Sequence, residues 1–289
     1  MERRRKLVLS ALLLPGALWI VLLYVAPSIL IVIYSFLTRQ IGGGVIWEFS
    51  LDAYQKLFAY NPDSLFINDF VVIFLRTFWW GLLTTAICLM VGYPLAFFIT
   101  RQKAGTRAVL LFLIIIPFWT NFLVRTYAWK FILNNNGLIN VILASLGFRR
   151  IPMINTPFAV IIGLVYGALP FMVLPLYAAL DNFNYRYVEA AHDLGADYLT
   201  VFRKVFWPLT LPGVATGSLL VFILTIGQFV VPVILGGGKV AMIGNLLAQQ
   251  FGMAFDWPFG SAIAVVFILL MMIGIVYYIT TEARKEASS

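Results

Sequence analysis

Six stretches of this chain are apolar for long enough to cross a lipid bilayer, and no other feature restricts its fold as strongly. They cover roughly residues 10–37, 70–100, 108–131, 156–181, 211–235 and 259–280. The hydrocarbon core of a bilayer is crossed by about 20 apolar residues in a helix. The expectation is therefore an all-α, polytopic membrane protein with about six transmembrane helices in a single transmembrane domain, 1–289. The chain is 62% hydrophobic and 11% charged, far from the balance of soluble domains. No polar block is long enough for a separate soluble domain. The N-terminal ERRRK followed by an apolar run resembles a signal peptide, but a signal's apolar region is about 7–15 residues. Here the apolar character continues from Leu7 to Leu37, so the segment reads as an uncleaved first helix.

Lys and Arg set the direction of insertion, because basic residues are retained on the cytoplasmic side. With the N-terminus inside, that side holds Arg3, Arg4, Arg5, Lys6, Arg101, Lys103, Arg107, Arg186, Arg203, Lys204, Arg284 and Lys285. The outer loops hold only Arg39, Lys56, Arg149, Arg150 and Lys239. Both termini are then cytoplasmic. This bias explains the net charge of +8 without an anionic ligand, and the long apolar runs exclude a nucleic-acid binder. Arg76, Arg125 and Lys130 fall near the outer ends of spans two and three, where they snorkel or line a solute entrance.

All carboxylates fall in loops, termini or span edges, and none at a bilayer midplane. Ion-coupled carriers commonly bury one, so a proton-coupled secondary transporter is disfavoured. The only histidine is His192, so neither HExxH nor an intramembrane Ser–His pair can form. No catalytic residue and no metal site is expected. GGGK at 236–239 has the wrong spacing for a phosphate loop. Uphill transport would need energy from a partner. The single Cys88 lies in an apolar run and reads as a packing residue.

Spans four and five carry Gly163, Gly167, Pro170 and Pro175, then Gly217, Gly227, Gln228 and Pro232. Helix breakers in a membrane are tolerated where neighbours or a water-filled cavity satisfy the freed backbone groups. The functional reading is a solute pathway along spans three to five; ordinary close packing through small residues is the alternative.

Between spans four and five lies YVEAAHDLGADYLTVFRKVFWP, 187–208. Tyr187, Ala190, Ala191 and Leu194 recur at one helical face, and Gly195 is a plausible stop. Tyr198, Val201, Phe202 and Val205 repeat the spacing, and Pro208 ends it. The 182–210 loop therefore reads as two short amphipathic helices joined by a glycine bend. From pattern alone, such a pair docks on a protein partner or lies on membrane lipid.

Glu189, Ala190, Ala191, Gly195 and Pro208, with Val205 and Trp207 at the apolar positions between, resemble the EAA loop of importer-type ABC transporter permeases, including its spacing. PFWTNFLVRTYAW (117–129), LVYGALPFMVLPLY (164–177), LGGGKVAMIGN (235–245) and DWPFGSA (256–262) resemble the spermidine/putrescine permease branch, first permease subunit. The resemblance implies a type I ABC importer permease fold and uptake of polyamines. It implies three partners: a second homologous permease, an ATP-binding cassette ATPase dimer and an external solute-binding protein. ATP and Mg belong to the ATPase, and this chain needs no cofactor. The coupling surface would comprise Glu189, Ala190, Ala191, Asp193, Leu194, Gly195 and Pro208. Aromatic faces suited to a cation are Trp119, Tyr127, Trp129, Tyr166 and Phe229, with Gln228, Phe229 and Lys239 as the outer gate. One departure stands out: GQFVVPVILGGG carries no acid where polyamine permeases often have one. Another amine, an organic acid or a phosphonate is the alternative solute, and an ion-coupled carrier the alternative class.

Overall fold

The computed structural model describes residues 13–59 and 69–288. The basic cluster at 3–6 and the loop carboxylate Asp63 lie outside them. The chain forms two compact units, one from residues 72–245 and one from the two ends, up to 71 and from 246.

In the unit built from the chain ends, α1 (Leu13–Tyr34) is long and apolar enough to span. Its turn at Val21–Val25 is π-helical, just before Pro27. A wider turn tolerates a residue without an N–H. An antiparallel ribbon follows, β1 (Leu37–Arg39) against β2 (Val45–Phe49), with an irregularity between Leu37 and Thr38. The apolar-run reading overlooked it. Its turn needs positive φ at Gly42, Gly43 and Gly44, a conformation glycine adopts freely. The short α2 (Asp52–Phe58) buries Ala53 and Leu57.

The sixth expected span belongs with the chain ends, and the other unit carries the second to fifth. Most of α3 (Asp69–Thr100) belongs to it, including an interior Pro94. Span three is not one straight helix. α4 (Ala104–Ile115) runs into a 3-10 turn at Ile116–Trp119, and α5 (Phe122–Leu133) leaves at 96°. Pro117 favours the tight turn, and Asn121 caps α5 by accepting the Leu123 N–H at 2.8 Å. The short α6 (Leu138–Ser145) follows. α7 (Pro157–Asp181) starts as helices prefer, with Pro157 in its first turn and the Thr156 hydroxyl accepting the Ala159 N–H.

α8 (Arg186–Asp193) is the first helix of the 182–210 loop. The expected second helix does not end at Pro208. It is the start of α9 (Tyr198–Ile226), 29 residues that run from the loop through span five. A π-helical turn at Phe202–Phe206, with the Trp207 N–H reaching the Phe202 carbonyl, precedes Pro208. The widened turn accommodates the missing proline donor, which is why the proline stop rule failed here. Span five then stops short: Gly227 to Phe229 break it, and α10 (Val230–Gly236) is a separate helix. α11 (Ile243–Gly252) leads to α12 (Trp257–Ser288), whose segment Trp257–Gly274 is the last apolar span. Among the described residues, five helices are long and apolar enough to cross a membrane, or six counting the bent pair.

The centre of the 72–245 unit is the crossing of α7 and α9. A Cβ added at Gly213 would lie 2.4 Å from the Ala179 Cβ, and one at Gly217 would lie 2.9 Å from the Met172 sulfur. Small residues let the backbones meet, as helix pairs in lipid require. Around the crossing Met172, Val173, Leu176, Leu180 and Val221 are buried with Cys88 and Ile99 from α3. A second buried cluster joins Leu133 and Val160 to Leu164, Val231 and Leu235.

Candidate functional site

Two places in the 72–245 unit concentrate functional side chains. The first is the 182–210 loop. α8 ends in a Schellman arrangement: Gly195 donates to the His192 carbonyl at 2.8 Å, and Ala196 to the Ala191 carbonyl at 3.0 Å. Gly195 has φ +80°, which makes it the bend the sequence suggested. The apolar face of α8 is turned outward. Tyr187 and Ala190 are exposed, Ala191 half-buried, and Leu194 at the tip is 89% exposed. Glu189 and Asp193 are exposed beside them, and Tyr198, 85% exposed, continues the surface on α9. The Thr200 hydroxyl beside the fully exposed Asp197 holds that carboxyl below the usual carboxylate range. Behind the loop, Tyr93, Phe97, Arg101, Tyr185, His192 and Phe206 line a cavity of about 420 Å³.

The second place is a cavity of about 130 Å³ where the helix breaks converge. It is lined by Phe118 and Phe122 from the bend after α4, Arg125 from α5, Gly163, Gly167 and Phe171 from α7, and Thr225, Gln228 and Val231 around the gap between α9 and α10. At the bend the Pro117 carbonyl accepts from the Thr120 hydroxyl at 2.6 Å and from Arg125 Nη1 at 2.9 Å. The same guanidinium lies over three rings: Phe118 at 4.5 Å, Phe122 at 5.7 Å and Tyr166 at 5.8 Å from their centroids. A Cβ on Gly167 would meet nothing within 4 Å, whereas one on Gly163 would lie 2.6 Å from Leu235 Cδ1. Gly167 therefore opens the cavity and Gly163 lets α10 approach.

The sequence-predicted gate residues do not all gather there. Gln228 lines the cavity, and Tyr166 borders Arg125 while packing edge-on against Trp129 at 5.3 Å. Trp119 is 76% exposed and packs edge-on against Phe112. Tyr127 is largely exposed, with Lys130 Nζ 5.7 Å from its ring. Phe229 caps α10, and its carbonyl accepts from Asn245 at 2.8 Å. Lys239 is exposed in the loop after Gly237 and Gly238. Pro208 lies inside α9 and is exposed. Of the two sequence readings of Arg125, snorkelling or lining a solute entrance, neither placed it at the bend, where it lines the cavity. Its spacing of eight residues from Pro117 across a bend was the available signal. Among the described residues no group of three or more His, Cys, Asp or Glu is placed to hold a metal ion.

The family model described as binding-protein-dependent transport system inner membrane component matches residues 92–283. The spermidine/putrescine transport system permease protein PotB of Haemophilus influenzae is 39% identical over 267 residues, 90% of this chain and 89% of that protein. PotB of Escherichia coli is 40% identical over 262 residues, 90% of this chain and 92% of that one. The trehalose/maltose permease MalF of Thermococcus litoralis is 27% identical over 248 residues, covering 79% and 84%. A solved chain of a bacterial ABC transporter for the import of alginate superposes with a TM-score of 0.70 at 16% identity, over 98% of this chain and 97% of that one. A second alginate transporter structure, in complex with its pentasaccharide-bound periplasmic protein, gives the same TM-score. The structural likeness speaks to the fold, which is that of importer permeases.

Proposed function

We infer that this chain, which belongs to the family of inner membrane components of binding-protein-dependent transport systems, is the permease subunit of an ABC importer that takes up spermidine and putrescine. The observation that carries the solute is its identity of about 40% with PotB along nearly the whole of both chains. The partners in this reading are a second permease, two ATPase copies that hold ATP and Mg, and an external binding protein that docks on the outer loops. Both termini and the 182–210 loop face the cytoplasm. This chain carries no catalytic step. The exposed apolar face of α8 supports docking on the ATPase over lying on lipid, since Glu189 and Asp193 rim it with charge that anionic lipid would repel. ATP binding moves the loop, α9 carries the motion to the break at Gly227–Phe229, and the passage opens alternately to either side.

A second reading has one observation behind it. Among the described residues Arg125 is the charged residue of the cavity and no carboxylate lines it, which favours an anionic solute such as an organic acid or phosphonate. Proteoliposomes holding the whole complex decide between the two. Spermidine presented with the binding protein is expected to stimulate ATP hydrolysis and to accumulate inside. Stimulation by an organic acid or a phosphonate and not by spermidine would reverse the assignment.

A further inference from the structure

A cation in the cavity of a polyamine permease is a contradiction unless it does something for the solute. Among the described residues the partners of the Arg125 guanidinium are the Pro117 carbonyl, which it shares with the Thr120 hydroxyl, and the faces of Phe118, Phe122 and Tyr166. Among the described residues no carboxylate lines the space. Ring faces and a carbonyl with no acid are the chemistry that receives an alkylammonium group, because the negative face of each ring attracts the cation without a fixed counter-charge. The cavity beside the guanidinium, about 130 Å³, opens at Gly167.

We propose that the Pro117–Phe118–Phe122–Tyr166 cage is an alkylammonium site of the transport pathway and that Arg125 is its tethered occupant, which a solute ammonium displaces. The proposal rests on the polyamine reading above. Two cations cannot share a cage this narrow, since their repulsion is weakly screened where water is scarce. The site is therefore closed to solute while Arg125 fills it and open once Arg125 swings away. The apparent affinity of such a site is lowered by the fraction of time it is free. An empty passage thus holds its own plug, and the absence of an acid lets the solute leave once the plug returns.

The experiment uses the whole transporter in nanodiscs with the binding protein left out, and measures binding of radiolabelled spermidine. Arg125→Gln is expected to bind about tenfold more tightly than wild type, the effect of freeing a site occupied roughly nine-tenths of the time. Arg125→Lys, which keeps a cation, stays near wild type, and Phe118→Leu added to Arg125→Gln removes the gain. Equal or weaker binding by an assembled Arg125→Gln complex overturns the proposal. A second measurement leaves Arg125 in place. In a Gly167→Cys complex, whose other cysteine in this chain, Cys88, is buried, millimolar spermidine should slow maleimide labelling; unchanged labelling overturns the proposal even if Arg125→Gln does not assemble. ATP-driven uptake by wild type separates the two ideas. Spermidine uptake without tighter binding by Arg125→Gln sinks the cage alone. Tighter binding without uptake sinks the polyamine function and leaves the cage standing.

Discussion

Arg107 Nη1 lies 2.6 Å from Asp181 Oδ1, which ties the first turn of α4 to the last residue of α7. Arg107 also donates from Nη2 to the Thr100 carbonyl at 2.8 Å, and the Tyr177 hydroxyl reaches Asp181 at 3.3 Å. Asp181 is the last residue before the 182–210 loop, so the pair joins the base of that loop to the helix that bends into the cavity. Both side chains are about a third exposed, so the pair stabilises by no more than ~1 kcal/mol. Arg107→Gln and Asp181→Asn should each lower transport several-fold while ATP hydrolysis without solute persists. The exchange Arg107→Asp with Asp181→Arg should recover part of the loss, not all, because the bond to Thr100 goes with the arginine. Transport and ATPase rates of wild type, the two single variants and their combination Arg107→Gln with Asp181→Asn, compared as a double-mutant cycle, give the answer; full additivity, with no recovery in the charge exchange, would leave the pair no role in coupling.

Gly195 has open space around it but a φ of +80°. Substitution there is opposed by the backbone and not by neighbours. A left-handed alanine costs about 1–2 kcal/mol, and it loosens the two hydrogen bonds that close α8. Gly195→Ala is expected to weaken co-purification of the ATPase, with unchanged yield of the permease in membranes. Leu194→Asp, which alters the exposed tip without touching the bend, should do the same. If both variants retain the ATPase at wild-type stoichiometry, the docking surface lies elsewhere.

Gly163 and Gly167 are one helical turn apart and should behave oppositely. Gly163→Ala forces Leu235 and Val231 aside, with contacts of 2.6 and 2.8 Å, and overpacking of this kind costs about 1–3 kcal/mol. Gly167→Ala meets nothing and should leave thermal stability unchanged, whereas Gly167→Phe should fill the cavity and stop transport in an assembled complex. Melting temperature and uptake measured together distinguish a packing glycine from a pathway glycine.

Asp256 organises the unit made from the chain ends. It is 3% exposed and lies 2.9 Å from Lys56 Nζ and 3.4 Å from Arg39 Nη1, while its Oδ1 accepts the Phe259 N–H at 3.2 Å. Asp256→Asn keeps the shape and an acceptor for the Phe259 N–H but removes the charge facing two half-exposed cations, which keep the Ala254 carbonyl and the Phe259 ring. Because both cations are well solvated, the loss is about 1 kcal/mol or less. Limited proteolysis should cut faster within the 40–44 turn of the β1–β2 ribbon. Unchanged cleavage would mean that the ribbon holds without the carboxylate.

The spans were legible because lipid removes alternatives: a run as apolar as residues 157–181 has little choice but a helix. The bend at Gly195 was legible because a glycine following an amphipathic turn has a local cause. What escaped depends on contacts distant in sequence. Pro208 reads as a stop, yet the π-helical turn at Phe202–Phe206 lets α9 continue, and nothing local announces a π turn. Pro117 and Asn121 carry the signals of a helix break, but the unbroken apolarity of residues 108–131 outweighs them in a window average. Arg125 reads as a residue at a membrane edge, and only the 96° bend turns it toward Phe118. The turn glycines 42–44 announced the ribbon, but a search for spans passes over three-residue strands.

The continuity of α9 has a mechanical consequence. At a rise of about 1.5 Å per residue, its 29 residues make a rod about 43 Å long, from beside Gly195 to the break before Gln228. A rod pushed at one end can translate, or it can turn about its own axis. Close contact at Gly213 and Gly217 with α7 obstructs sideways travel, whereas the widened turn at Phe202–Phe206 leaves slack in winding. Force delivered at Tyr198 would then reach Gln228 as torque, and the wall of the cavity would be rotated, like a stopcock, more than pulled apart.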